Sequence, residues 1–309
     1  MVTLFRTSFT IIFAFSVLFS TQVVAADDVP AKSIQKAKEQ TKKVRKIKLI
    51  KRAPTRLKSY EYTRDKLSFG FGLNYSSGDY GTNKSTEAFS VPLRASYSRG
   101  DWRVSAQMPY INITGPASVI VISDGPEVIE KFAQGERHRW GNGDLRLTAQ
   151  YKVYANSQSK TGIRLGSTIK FPVASDDAEL SSGEYDYSFF TGAYVRKGRW
   201  VTNGRIGYQL MGDTSKTDYN NRLYGSAGAY YRIDRKQSAG FNLSYKQAAI
   251  ETSDSLRTVS GYFSRRLGDG WRASVSIGSG LSDSSANVFG GIQFTKSFVQ
   301  KRRVNTVKN

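Results

Sequence analysis

The chain has no cysteine and a single histidine, His138, among its 309 residues. A disulfide scaffold, a thiol nucleophile and a cysteine metal site are therefore excluded. One histidine also excludes a multi-histidine metal cluster, and no cofactor is expected. Acids are scarce beside bases, 25 against 46, for a net charge of +21. Long apolar runs are scarce as well. Beyond residue 26 nothing approaches the ~18 apolar residues of a spanning helix. Proline is limited to 7 positions, whereas glycine (28), tyrosine (18) and phenylalanine (17) are abundant. That balance suits a protein built from strands.

The two ends differ from the middle. Arg6, the apolar stretch Phe9 to Phe19 and the small residues at Val23-Val24-Ala25 read as a secretory signal over residues 1–25, cleaved before Ala26. Residues 26–64 form a basic periplasmic segment with 13 Lys or Arg against 4 Asp or Glu. Ile34, Ala37, Thr41 and Val44 recur at helical spacing, so the segment is either a short amphipathic helix or disordered. Its charge suits peptidoglycan or anionic lipid. Such a run usually meets nucleic acid, but export argues against that partner. Residues 299–309 form a short basic tail.

Between these ends, over residues 65–298, period two dominates. Leu67, Phe69, Phe71 and Leu73 alternate with Ser68, Gly70 and Gly72; Leu145, Leu147 and Ala149 alternate with Arg146 and Thr148. Alternation gives each strand one apolar and one polar face. Twelve strands are expected, at 66–77, 87–99, 101–113, 143–155, 161–173, 184–196, 199–211, 220–232, 236–247, 255–266, 270–281 and 286–298. Tight connections follow the even strands and longer polar ones the odd strands, the asymmetry of outer-membrane barrels. Trp102, Trp200 and Trp271 each follow a tight turn on the apolar face, as one membrane-interface girdle; Tyr75, Tyr110, Tyr185 and Tyr245 would supply the other. The expected fold is all-β, a closed antiparallel transmembrane β-barrel. The loop 114–138, with the apolar run Val119 to Ile122 and a helical stretch at Val128 to Ala133, either folds into the lumen or adds a hairpin and raises the count to fourteen.

The polar faces would line the lumen with Arg94, Arg103, Arg146, Lys152, Arg164, Lys170, Arg196, Arg205, Arg222, Arg232, Lys246 and Arg272, and with bulky Tyr154, Phe190, Tyr194, Tyr224, Tyr230 and Phe289. Arginine and aromatic rings together suit an anionic or aromatic small solute. Equally, the arginines could fill a narrow barrel and stiffen it. No enzyme is expected. A serine nucleophile needs an adjacent base, and His138 is followed by Arg139 and Trp140 with no serine two residues on.

Several short motifs occur in a fixed order: Val91-Pro92-Leu93, Met108-Pro109-Tyr110, Gly141-Asn142-Gly143-Asp144, Lys170-Phe171-Pro172 and Leu180-Ser181-Ser182-Gly183. This order resembles the outer-membrane transporter family associated with meta-pathway phenol degradation, clearest over 88–212 and extending over 66–298. The resemblance implies passage of small aromatic or hydrophobic compounds across the outer membrane of a Gram-negative cell, with outer-membrane lipid as the surroundings. Two other readings stay open: an arginine-lined porin for acidic oligosaccharides, and a structural anchor whose basic N-terminal segment contacts the cell wall.

Overall fold

The structure is a computed structural model and describes residues 60–305, apart from 81–83, 116–117, 123–124, 131–136, 175–179, 214–217 and 252. The secretory signal, its cleavage site and the helix expected in the basic segment lie outside the described residues.

Fifteen strands are present among these residues: β1 (Tyr60–Gly78), β2 (Thr86–Arg99), β3 (Trp102–Gly115), β4 (Ser118–Ile122), β5 (Gly125–Glu130), β6 (Arg137–Asn142), β7 (Leu145–Asn156), β8 (Thr161–Phe171), β9 (Asp186–Lys197), β10 (Trp200–Leu210), β11 (Arg222–Arg232), β12 (Gln237–Lys246), β13 (Leu256–Gly268), β14 (Trp271–Gly280) and β15 (Val288–Asn305). Twelve of them close into a ring. β1 pairs with β2, β2 with β3, β3 with β7, and β7 through β15 pair in succession. β15 then pairs with β1 along an antiparallel ladder from Tyr60↔Asn305 to Ser77↔Val288. Closure leaves the ring without a free edge.

β6 is the extra strand. It pairs with the long-loop half of β3, as β7 pairs with the short-turn half. The pair Gln107↔Arg146 is followed on β3 by Tyr110↔Asn142, which leaves one residue over at Gly143-Asp144. That surplus is a β-bulge. It lies beside Pro109, which has no N–H to give and accepts instead from the Gly143 amide at 2.8 Å. Pro92 stands directly opposite Pro109. Two of the sequence motifs thus meet where ladder bonds are missing.

The loop after β3 forms a separate hairpin, β4–β5, outside the ring. The barrel therefore stays at twelve strands. The helical expectation for Val128 to Ala133 fails where it can be compared, because Val128–Glu130 is strand. Six residues are too few for a stable isolated helix. The β-branched Val119, Ile120, Val121 and Ile122 supply a ready partner strand. A second difference lies at the short-turn end of the seam. β1 begins at Tyr60 and β15 runs to Asn305, so the ladder extends past the strand ends expected at 66 and 298.

The outer face is apolar throughout the mid-section. Leu73 is 65% exposed, Ile206 57% and Ile277 67%. In water so continuous a patch would drive association; in hydrocarbon it is the favourable surface. Trp102, Trp200 and Trp271 open β3, β10 and β14 on this face. Trp102 packs against Tyr151 at 4.8 Å and Trp200 against Tyr231 at 5.1 Å, each one strand away. At the other end Tyr75 meets Phe89 at 4.8 Å, Tyr110 meets Trp140 at 6.4 Å and Tyr185 meets Phe171 at 5.7 Å. The fourth tryptophan, outside the twelve strands expected, thus belongs to the second girdle. From Trp102 to Tyr110 is about eight residues, or ~26 Å along the strand. A tilt of ~40° turns that into about 20 Å of height, close to the ~25 Å apolar band of such barrels.

One inward assignment is corrected. Tyr154 points out, 46% exposed and paired with Ile163, because a register shift between Lys152 and Tyr154 reverses the alternation.

Candidate functional site: the cationic lumen

Alternation carries the polar residues inward, where they surround a central cavity of about 620 Å³. Arg94 on β2, Arg103 on β3, Arg146 on β7, Arg164 and Lys170 on β8 and Arg205 on β10 all line it. With β9, which stands between β8 and β10, these strands form one continuous arc of the ring. The facing arc contributes Tyr224, Ser226, Ser244 and Gln293, with Lys246 as its cation. Around the central cavity, therefore, one wall is cationic and the other largely hydroxyl and amide. Among the described residues Asp186 is the one acid lining the cavity, and it is bound to Lys170 at 3.1 Å.

The wall arginines are held partly by an amide and by aromatic rings. Arg94 donates to Gln107 Oε1 at 2.7 Å. Arg205 lies 4.4 Å above the Phe190 ring and Arg164 lies 5.7 Å above Tyr194. Among the described residues no ion pair engages Arg103, Arg164 or Arg205. Arg103 instead lies within Coulombic range of Arg94, Arg164 and Arg205. Like charges gathered across a cavity raise a positive potential there, and low-dielectric walls focus it.

The inward rings leave the cavity open because they lie against the wall. Gly166 faces Phe190, Gly162 faces Tyr194, Gly207 faces Tyr224 and Gly278 faces Phe289 across neighbouring strands. A methyl group at any of these glycines would collide with the ring. Each glycine is a recess into which an aromatic side chain folds flat.

The other cations expected in the lumen are placed differently. Arg196 and Arg232, with Tyr194 and Tyr230, line a second cavity at the short-turn rim. Arg222 is buried and donates from Nε to Gln209 Oε1 at 3.1 Å. Arg272 donates to Ser264 at 3.1 Å on the hydroxyl-rich arc. Lys152 is paired with Asp101 at 2.6 Å near the tight β2–β3 turn.

Above the central cavity, at the long-loop end, the barrel is packed. Tyr80, Ala88, Ile111, Ile113, Leu180 and Ala286 form a buried apolar cluster. Three of them, Tyr80, Leu180 and Ala286, come from loops that fold inward. The loop carrying Leu180 is fastened by polar contacts. Lys170 reaches Ser182 Oγ at 2.7 Å, Asp186 at 3.1 Å and Asp144 at 3.6 Å, and Ser181 donates to Asp144 at 2.5 Å. Lys170, Asp144 and Asp186 are each 5% exposed or less. Asp186 also accepts from Gln209 at 3.1 Å and from the Gly212 amide at 3.3 Å. Burial pushes the Tyr80 hydroxyl well above the usual tyrosine range, so it stays neutral in the cluster.

Sequence reasoning missed this fastening, although three of its motifs, Gly141-Asn142-Gly143-Asp144, Lys170-Phe171-Pro172 and Leu180-Ser181-Ser182-Gly183, meet in it. The apolar cluster carried no periodic signal, since half of it is loop. His138 lies on β6 and its Nδ1 is 2.9 Å from Thr114 Oγ1. Among the described residues no three of His, Cys, Asp and Glu gather as a metal site.

No family model matches the chain, and no curated protein matches it. Solved structures do align. A KdgM porin aligns with a TM-score of 0.48 at 11% identity, over 75% of this chain and 99% of its own. A NanC porin gives 0.47 at 13%, over 76% and 99%. The CymD monoaromatic hydrocarbon channel gives 0.40 at 12%, over 81% and 90%. At such identities and scores, the likeness leaves function to be argued from the lumen itself.

Proposed function

We propose that the chain is an outer-membrane channel for small anionic solutes, aromatic acids among them. The observation that carries this reading is the wall of Arg103, Arg164 and Arg205 around an open cavity, with no carboxylate partner among the described residues. Arginines that merely stiffened the barrel would be paired or packed solid. A ring of one charge sign selects ions of the other. Guanidinium groups already lying over Phe190 and Tyr194 offer an aromatic acid both charge and a stacking face. The apolar belt and the two aromatic girdles support a bilayer setting, and the alternation of tight turns and long loops is the outer-membrane pattern.

The hydroxyl-rich arc of Ser226, Ser244 and Gln293 favours a second reading, passage of acidic oligosaccharides. Carboxylates would lie on the arginines and sugar hydroxyls on the opposite wall.

Planar-bilayer recording under a salt gradient tests the proposal. The expected result is anion selectivity in the wild type, reduced in the Arg103→Ser, Arg164→Ser, Arg205→Ser variant while the barrel remains folded. Current block by benzoate and by an oligogalacturonate would rank the two solute classes. Cation selectivity, or no conductance, would mean that the arginines serve the fold alone.

A further inference from the structure

At the short-turn rim a second cavity, of about 410 Å³, is lined by Asn156, Lys160, Tyr194, Arg196, Tyr230 and Arg232. It is separate from the central cavity. Its cations come from the β7–β8 turn, the end of β9 and the end of β11. Among the described residues no Asp or Glu lines it. Arg196 Nε is buried and has no hydrogen-bond partner. Among the described residues no side-chain hydrogen bond or ion pair engages Lys160 or Arg232 either.

Three cations turned to one recess repel one another, and an unpaired buried guanidinium nitrogen is costly. Both penalties vanish if the recess holds an oxyanion. The parts suit that role. Two guanidinium groups offer planar pairs of donors to carboxylate or phosphate oxygens, Lys160 adds a compact charge, and the phenols of Tyr194 and Tyr230 can donate. The alternation that places Tyr194 and Arg196 inward on β9 also places Phe190 inward. Along this one face Arg205 covers Phe190, Arg164 covers Tyr194, and Arg196 follows. The cationic wall thus continues down to the rim.

We propose that this rim cavity is a distinct anion-binding site, taking the carboxylate or phosphate group of a solute in series with the central cavity. The inference rests on the channel reading for its role in passage, but the binding itself does not. Two sites in series let an anion be held at each end while neither site must hold it tightly, which conduction requires. Tyr194 and Arg196 share the strand face of Phe190, and Tyr230 and Arg232 that of Tyr224 and Ser226, the faces that line the central cavity, so a free solute rather than a lipid headgroup supplies the anion.

The test is calorimetric titration of inorganic phosphate, and separately of acetate, into the full chain in phosphatidylcholine nanodiscs. The wild type should show two classes of site. The Lys160→Ser, Arg196→Ser, Arg232→Ser variant should lose one class, with affinity down about tenfold or more as charge-assisted contacts disappear. The Arg103→Ser, Arg164→Ser, Arg205→Ser variant should lose the other. Arg196→Gln alone, which keeps polarity and volume, should weaken the same class as the triple rim variant if that variant fails to fold. Retention of both classes in the rim variants overturns the proposal. Disappearance of the rim class in phosphatidylglycerol nanodiscs would overturn the free-solute assignment in favour of a headgroup. Absence of conductance with both binding classes intact would sink the channel reading and leave the rim site standing.

Discussion

Arg205 and Ile206 are neighbours on β10 and face opposite media. Arg205 lines the cavity, and Ile206 stands on the exposed apolar face. The same substitution should therefore cost differently on the two sides. Ile206→Arg is expected to destabilise the folded barrel by ~2–4 kcal/mol, the cost of a cation near the bilayer midplane. Ser226→Arg, facing the lumen, should cost much less and raise anion selectivity. Urea titration in lipid vesicles measures the first effect, and a reversal potential the second. Tyr80 gives a residue-scale dependence on pH. Its folded value is raised by burial above its ordinary 10.0. Such a group lends stability that is complete below the unfolded value and is lost as pH rises through the folded one. The packed mouth should loosen above about pH 10 in the wild type, and Tyr80→Phe should remove that part of the alkaline response. Protease sensitivity of the long loops as a function of pH reports it. At the short turn Asp234, which accepts the Lys236 and Gln237 amides at 2.5 and 2.7 Å, is held below the usual carboxylate range. It is fully exposed and serves the turn, not the lumen.

At the scale of elements, the loop 172–185 depends on one buried lysine. Lys170→Met would leave Asp144 and Asp186 buried without their cation, at a cost of about 3–5 kcal/mol. The neighbouring ring of strands does not need that loop, so the loss should appear as release of the loop. The expected readout is new cleavage between Pro172 and Tyr185 with the barrel still heat-modifiable; cleavage unchanged from the wild type would mean that Leu180 alone holds the loop down. These contacts mark where the sequence stopped being legible. Strand positions were readable because period two is written into most strands, from Leu67-Ser68-Phe69 to Trp271-Arg272-Ala273, and most weakly into 255–266. The wall of arginines followed from the same alternation. What alternation cannot show is an interruption of itself. The bulge at Gly143-Asp144 and the shift before Tyr154 each add one residue, and the second turned Tyr154 to the outer face. Nor can it show which loops turn inward, since Tyr80, Leu180 and Ala286 meet only after the strands are arranged. The short-turn ends of β1 and β15 were hidden for another reason. Their charge reads as a tail, while the pairing from Tyr60↔Asn305 to Arg64↔Lys301 is backbone to backbone. β1 meets β2 from Asp65 upward. A chain beginning at Asp65 should thus lose a two-stranded ribbon outside the ring and still assemble.

The barrel is a closed ladder, and closure predicts which deletions it survives. Every strand of the ring has two partners, so each backbone N–H and C=O at membrane depth can be satisfied within the protein. The hairpin β4–β5 stands in a separate sheet and closes nothing. Replacing residues 116–136 by a short linker should leave a barrel that migrates faster unheated than boiled. Removing β15 is the opposite case. It strips partners from β1 and β14 together and exposes two edges to hydrocarbon, where an unsatisfied peptide group costs several kcal/mol. β1 would lose the ladder that runs from Tyr60 to Ser77. A chain ending at Asn287 should yield no heat-modifiable species and should aggregate through its open edges. Gel mobility of the two deletions, refolded side by side in detergent, decides the matter. If the chain lacking β15 still ran as a compact species, the seam would not be what holds the ring, and the pairing of β1 with β15 would be a consequence of closure rather than its cause.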